Sequence, residues 1–195
     1  MKNNNELMSA AKEALNGKWG IAVLAYIVII LINIPIQLVA ETSQFSIIIS
    51  LILGGPLTLG IAIFHLKIIR NQTPTIEDLF EGFRNIQTPV LTYLLMIAHI
   101  ILWTLLFIIP GIIIAISYAL TFYILADKPE LQPMEALNES KRIMHGHKLQ
   151  FFEIIIRIIA LALLSVLTLG IGLLFLVPYS KVLIAKFYEE VKNQS

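Results

Sequence analysis

Four side chains carry polar or ionisable groups where the surrounding sequence is almost wholly apolar: Glu153, Arg157, His99 and Asn33. Glu153 and Arg157 stand four residues apart, acid first, which makes them neighbours on one helix face in the favourable order. An ionisable group held at membrane depth is costly unless partnered, so such residues mark a functional hypothesis by default. Two readings fit them. One is an ion or substrate path. The other is a mutually neutralised pair that holds helices together, or an Arg157 that snorkels to the interface. His99 lies in the middle of an apolar run, where it either hydrogen-bonds across helices or relays a proton. Asn33 shares the far half of the first apolar run with Pro35 and Gln37, the mark of a kinked segment packed against protein.

Other chemistry finds little to stand on. His65 falls near the end of the second apolar run and reads as structural, and two histidines, His145 and His147, are too few for a metal site without further ligands. The chain has no cysteine, which removes disulfides, thiolate chemistry and cysteine metal sites. No phosphate-binding glycine loop, nucleophile elbow or paired-histidine zinc helix occurs. The expectation is a protein that is not an enzyme, with no catalytic residue, no cofactor and no metal. The basic residues are scattered among acids, which argues against nucleic acid as a partner.

The elements that must position these residues follow from composition. Hydrophobic residues make up 57% of the 195 and charged residues 14%, where soluble domains carry about 25% charged residues. Mean hydropathy is +0.83. The expected fold class is all-α: a polytopic membrane helix bundle, one integral membrane domain over 1–195, with six transmembrane spans near 20–40, 45–69, 89–109, 111–126, 149–167 and 172–188. Runs of about 20 apolar residues suffice to cross roughly 30 Å of hydrocarbon. A cleaved signal peptide is not expected, because the first apolar run is long and lacks a small-x-small cleavage site. Gly54-Gly55-Pro56 predicts a kink or break in the second span, and Pro110-Gly111 a turn or sharp kink between the third and fourth. Gly54, Thr58 and Ala62, and again Gly111, Ala115 and Ala119, place small residues every fourth position, a close-packing face.

Three polar stretches between these runs read as short amphipathic helices. The first is capped by Asn4 or Asn5, turns Leu7, Met8, Ala11, Ala14 and Leu15 inward, and ends at Gly17. The second opens with Thr75 and Asp78, a capping-box spacing, and carries Ile76, Leu79, Phe80 and Phe83. The third starts at Pro133, stripes Met134, Ala136, Leu137, Ile143 and Met144, and stops at Gly146. The order is short helix, span, span, three times over. A threefold internal repeat is one reading, and Glu13-Ala14-Leu15-Asn16 recurs as Glu135-Ala136-Leu137-Asn138. The plain alternative is that any six-span protein with cytoplasmic loops looks like this.

In this layout every lysine and arginine except Arg157 falls on one side, and the other side holds only Glu41. The positive-inside rule then places both termini and the three short helices in the cytoplasm.

A set of short motifs resembles a known family: Pro110-Gly111-Ile112-Ile113, Ser117-Tyr118, Tyr123 to Asp127, Glu135-Ala136-Leu137 with Ser140, Met144 to Lys148, Leu169 to Gly172, Pro178-Tyr179 and Phe187-Tyr188. Ala14-Leu15 through Trp19-Gly20, and Asp78-Leu79-Phe80 with Gly82-Phe83, extend the likeness over nearly the whole chain. In this order they resemble the bacterial integral membrane family catalogued as domain of unknown function nine-seven-five. The resemblance implies a six-span protein of the bacterial cytoplasmic membrane and supplies no activity or functional residue. The layout is also distantly similar to the membrane domain attached to some glycerophosphodiester phosphodiesterases, whose catalytic domain has no counterpart here. The expected role is accessory, with the lipid bilayer and another membrane protein or a second copy as partners. The alternative is a small transporter or permease component built on Glu153, Arg157, His99 and Asn33.

Overall fold

The computed structural model describes residues 2–40 and 46–194, with backbone only for 35–40, 46 and 47. The polar half of the first span beyond Asn33 and the turn expected at 41–44 lie outside the described side chains. Among the described residues the secondary structure is entirely helical: α1 (Asn4–Ala14), α2 (Trp19–Ala40), α3 (Ser46–Ile69), a 3-10 helix (Ile76–Phe83), α4 (Gln87–Leu106), α5 (Ile108–Ser117), α6 (Thr121–Asp127), α7 (Pro133–Ile143), α8 (Lys148–Val166) and α9 (Ile171–Lys192). Among the described residues five stretches are long and apolar enough to cross a membrane: Ile48–Ile69, Gln87–Leu106, Ile108–Asp127, Lys148–Val166 and Ile171–Lys192. The pair Asn4–Ala14 and Trp19–Ile34, bent by 92°, also passes that test. Leu105, Phe107, Leu167 and Leu169 stand among the most exposed large side chains. Hydrocarbon is the solvent that suits such a surface.

Neither of the two expected breaks falls at its motif. The helix α3 runs unbroken through Gly54-Gly55-Pro56. Thr58 Oγ1 donates to the Gly54 carbonyl at 2.6 Å. The break is therefore absent, and the glycines serve close packing: a Cβ on Gly55 would lie 2.2 Å from the Pro89 carbonyl oxygen, and one on Gly54 2.6 Å from the Tyr93 ring. The turn after the third span comes at Phe107, which is extended (φ −157°, ψ 141°), three residues before Pro110. Pro110 sits instead in the first turn of α5, where a missing N–H leaves no helical bond unmade. Gly111 then meets Thr104 so closely that a Cβ would sit 2.1 Å from its Oγ1, which closes the α4–α5 hairpin.

The fourth span is broken between Ser117 and Thr121, a feature with no proline or glycine to announce it. Side chains take up the backbone there: Ser140 Oγ donates to the Ser117 carbonyl and Thr121 Oγ1 to that of Tyr118, both at 2.8 Å. Ser140 comes from α7, so α7 is docked on the break.

The order short helix, long apolar stretch, long apolar stretch is repeated three times, the broken α5–α6 standing as the last stretch of the second unit. Each short segment begins with an acid three residues past the cap that accepts the cap's own N–H at 2.9 Å: Glu6 from Asn3, Asp78 from Thr75, Glu135 from Gln132. The next residue, Leu7, Leu79 or Ala136, is buried each time. In this register Glu13 stands at the end of α1 and Glu135 at the start of α7, so the tetrapeptide recurrence does not align equivalent positions. The second segment is a 3-10 helix, in which i and i+3 eclipse; that stacks Ile76, Leu79 and Gly82 in one row. The row lies so close to α3 that a Cβ on Gly60 would be 1.9 Å from the Leu79 oxygen and one on Gly82 2.1 Å from that of Pro56.

Each short helix packs on the last long element of the unit before it: the 3-10 helix on α3, α7 on α6, and α1 on α9. The pattern therefore closes on itself. Its centre is formed by α3, α6 and α9, each of which buries a phenylalanine followed by a second ring: Phe64-His65, Phe122-Tyr123 and Phe187-Tyr188. Tyr123 and Tyr188 stack with centroids 5.7 Å apart. The short helices bury their apolar faces as expected, except that Phe80 and Met134 remain exposed.

Candidate functional site

The charged residues gather where α3, α6 and α9 end together. Asp127, with its side chain 8% exposed, accepts Arg70 at 2.7 Å, Lys192 at 2.6 Å and the Tyr188 hydroxyl at 2.8 Å. Arg70 Nε also donates to Glu189 at 2.8 Å, and a second guanidinium nitrogen contacts the same carboxylate. The hydrogen bond that Arg70 donates to Asp127, with that to Glu189 behind it, raises the Arg70 pKa and fixes its charge, although burial works against it. Around this knot Lys67 pairs with Asp78 at 2.6 Å, Lys18 Nζ donates to the Ile68 carbonyl at 2.8 Å, and the Lys2 N–H donates to Glu190 at 2.9 Å. On α7, Glu139 is held near pKa 2 by the Arg142 guanidinium, and secondarily by Lys128, against a smaller opposing effect of burial. One end of the bundle thus carries the ion pairs and the short helices.

The four residues singled out from the sequence do not converge. Glu153 and Arg157 each find a partner on α1 instead of on each other. Asn4 Nδ2 donates to Glu153 Oε2 at 2.9 Å, and Arg157 Nη1 donates to Asn5 Oδ1 at 2.5 Å. Arg157 also reaches Met8 Sδ at 3.6 Å. Asn3, Asn4, Asn5, Gln150, Glu153 and Arg157 line one open notch of about 250 Å³ between α1 and α8. His99 and Asn33 lie on α4 and α2, and neither lines it. His99 Nδ1 is 2.7 Å from the Leu95 carbonyl of its own helix, and its ring meets Tyr118 edge-on at 5.9 Å. The contact that His99 makes beyond its own helix is thus the Tyr118 ring. Asn33 Nδ2 likewise turns back to the Ile29 carbonyl at 2.8 Å. Back-bonding to i−4 is how a polar side chain in an apolar helix satisfies itself without a partner helix.

Sequence reasoning missed two groups that the fold brings together. One is Asp127, which stands where an apolar run meets a charged one and whose partners come from the ends of two other helices. The other is the pair Asn4 and Asn5, read only as alternative caps of α1: the cap is Asn3, whose Oδ1 accepts the Glu6 N–H, which leaves Asn4 and Asn5 in the helix and free to meet α8. Among the described residues no cluster of three or more histidine or acidic side chains has metal-binding geometry.

A family model described as Protein of unknown function (DUF975) matches residues 1–122 and 104–195 of the chain. No curated protein and no solved structure matches it.

Proposed function

Since the chain belongs to the family described as Protein of unknown function (DUF975), we propose that it is a non-enzymatic, multi-pass protein of the bacterial cytoplasmic membrane. Both termini and the three short helices face the cytoplasm in this reading. Its role is accessory: that face contacts lipid or another membrane protein, in envelope maintenance or protection against membrane stress, including self-immunity to a membrane-active peptide. The observation that carries the reading is the surface at the charged end. The short helices bury one face in the bundle yet leave Phe80 and Met134 exposed beside Arg84, Lys141 and Arg142, and Leu149 at the start of α8 is exposed as well. Apolar side chains set among cations suit the boundary between acyl chains and anionic headgroups. The separation of Asn33, His99 and the Glu153–Arg157 notch supports this reading over a transporter, whose binding groups must converge.

The test is photocrosslinking in native membranes from a benzoylphenylalanine placed at Phe80 or Met134. Adducts with lipid or with one discrete membrane protein are expected. Adducts no more frequent than at an internal control position such as Leu137 would sink the proposal.

A further inference from the structure

The long helices α2, α3 and α9 leave a partly open cleft of about 100 Å³ between them. Ala22, Ala25, Tyr26 and Ile29 supply one wall, spaced i, i+3, i+4, i+7 along α2. Val177 and Pro178 supply another from α9. The lining is apolar except for the hydroxyl of Tyr26 and for Lys181 from α9 and His65 from α3. His65 is buried, and its Nδ1 is spoken for by the Ile61 carbonyl at 2.7 Å, an acceptor that fixes the proton on that nitrogen. Lys181 has no such partner. Its backbone carbonyl accepts the Tyr123 hydroxyl at 3.3 Å, but no hydrogen bond or ion pair holds its Nζ among the described residues. No acid lines the cleft.

An ammonium in an apolar recess of a membrane span is expensive unless an anion accompanies it. Other cations of this bundle follow that rule: Lys67 takes Asp78, Arg70 takes Asp127 and Glu189, Lys128 and Arg142 take Glu139. We propose that the cleft binds an anionic phospholipid, one acyl chain lying along Ala22, Ala25 and Ile29 and a phosphate oxygen accepting from Lys181 Nζ. The small side chains Ala22 and Ala25 open the wall to a methylene chain, and the single cation selects for negative charge. The cleft lies between the long helices α2, α3 and α9, so this lipid is a bound component of the bundle and not the bilayer surface that the short helices meet. The inference rests on the reading of the chain as a membrane protein but not on what the cytoplasmic face contacts.

Purified full-length protein in nanodiscs of mixed phosphatidylglycerol and phosphatidylcholine provides the test, with retained lipid counted by native mass spectrometry after release. The wild type is expected to hold one phosphatidylglycerol through the release step. Lys181→Gln is expected to lose it at least about tenfold more readily, and Lys181→Arg to keep it. Equal retention by Lys181→Gln, or replacement of the lipid by oleate at equal concentration, overturns the proposal. A measurement on the unaltered chain stands beside it: phosphatidylglycerol carrying a diazirine on its acyl chain should label 22–29 and 177–181 above all other spans. Even labelling over all apolar helices overturns it as well. A positive result here with no adducts at Phe80 or Met134 would retain the lipid site and remove the proposed surface role.

Discussion

Arg70 and Asp127, 57 residues apart in sequence, meet in a 2.7 Å ion pair that joins the end of α3 to the end of α6. Because Asp127 also takes Lys192 and Tyr188 from α9, one carboxylate ties the three central helices. Asp127→Asn removes the charge that both cations answer to, while Arg70 keeps Glu189. Buried pairs lose several kcal/mol when broken, but Arg70 and Lys192 are about one-third exposed, which lowers the expected cost to about 1–3 kcal/mol. Thermal unfolding in detergent reads it. An unchanged melting temperature would show that apolar packing alone holds the three ends.

Gly60→Ala tests the contact between α3 and the 3-10 helix. The new methyl would start 1.9 Å from a backbone oxygen, which a rotamer change cannot relieve. The 3-10 helix must lift off, at a cost of about 2–3 kcal/mol. Greater proteolysis of 71–86 than in the wild type is the expected readout.

Gly17 and Gly146 close α1 and α7 with φ of +74° and +84°, and at neither would an added Cβ meet another atom within 4 Å. Alanine at either site is therefore strained by backbone conformation alone, by about 1 kcal/mol. The two variants should lower the melting temperature by similar amounts. A large difference would mean that the two turns are not structurally equivalent.

Glu139 gives α7 a pH dependence of definite sign. Its folded pKa, near 2, lies below its ordinary 4.5 because Arg142 and Lys128 favour the carboxylate. The stabilisation is complete above the ordinary value and is lost as pH falls from there through about 2. The melting-temperature gap between wild type and Glu139→Gln should hold steady from pH 7 to about 5 and then shrink. A gap independent of pH down to 3 would refute the pairing.

Arg157→Leu removes the donor that reaches Asn5 and Met8. With Arg157 only partly buried, the loss should be about 1 kcal/mol and local to α1. A cysteine placed at Ala11, on the buried face of α1, should then react faster with a maleimide. A melting temperature that falls without faster labelling would place the role of Arg157 outside the α1 contact.

The long helices were legible because hydropathy is a local property. Expected and observed span ends lie within a few residues of each other, as for α8, expected at 149–167 and found at Lys148–Val166. The caps of the short helices were legible for the same reason: Thr75 with Asp78, Pro133 at a helix start, and Gly17 and Gly146 at helix ends are signals confined to a single turn. What the sequence hid depends on distant partners. Gly54-Gly55-Pro56 reads as a breaker until Pro89 and Tyr93 are seen to need its missing side chains. Ser117 to Leu120 reads as continuous helix until Ser140 arrives from α7. Glu153 and Arg157 have ideal spacing for each other, yet the α1 asparagines compete successfully for both. The repeat itself was half visible: its order showed, but its register runs through Glu6, Asp78 and Glu135 and not through the recurring tetrapeptide.

The closing of the ring between α1 and α9 imposes a schedule. Lys2 bonds to Glu190 across 188 residues, and Met8 to Tyr179 across 171. Helix α1 is thus translated long before α9 and seated only after it. At roughly 5–20 residues per second it waits on the order of ten seconds or more for the helix that will cover Leu7 and Leu15. During that interval its apolar face is open, and a chain stalled before α9 keeps it open. Quality-control proteases and chaperones at the ribosome exit would meet that face on every unfinished copy and on no finished one.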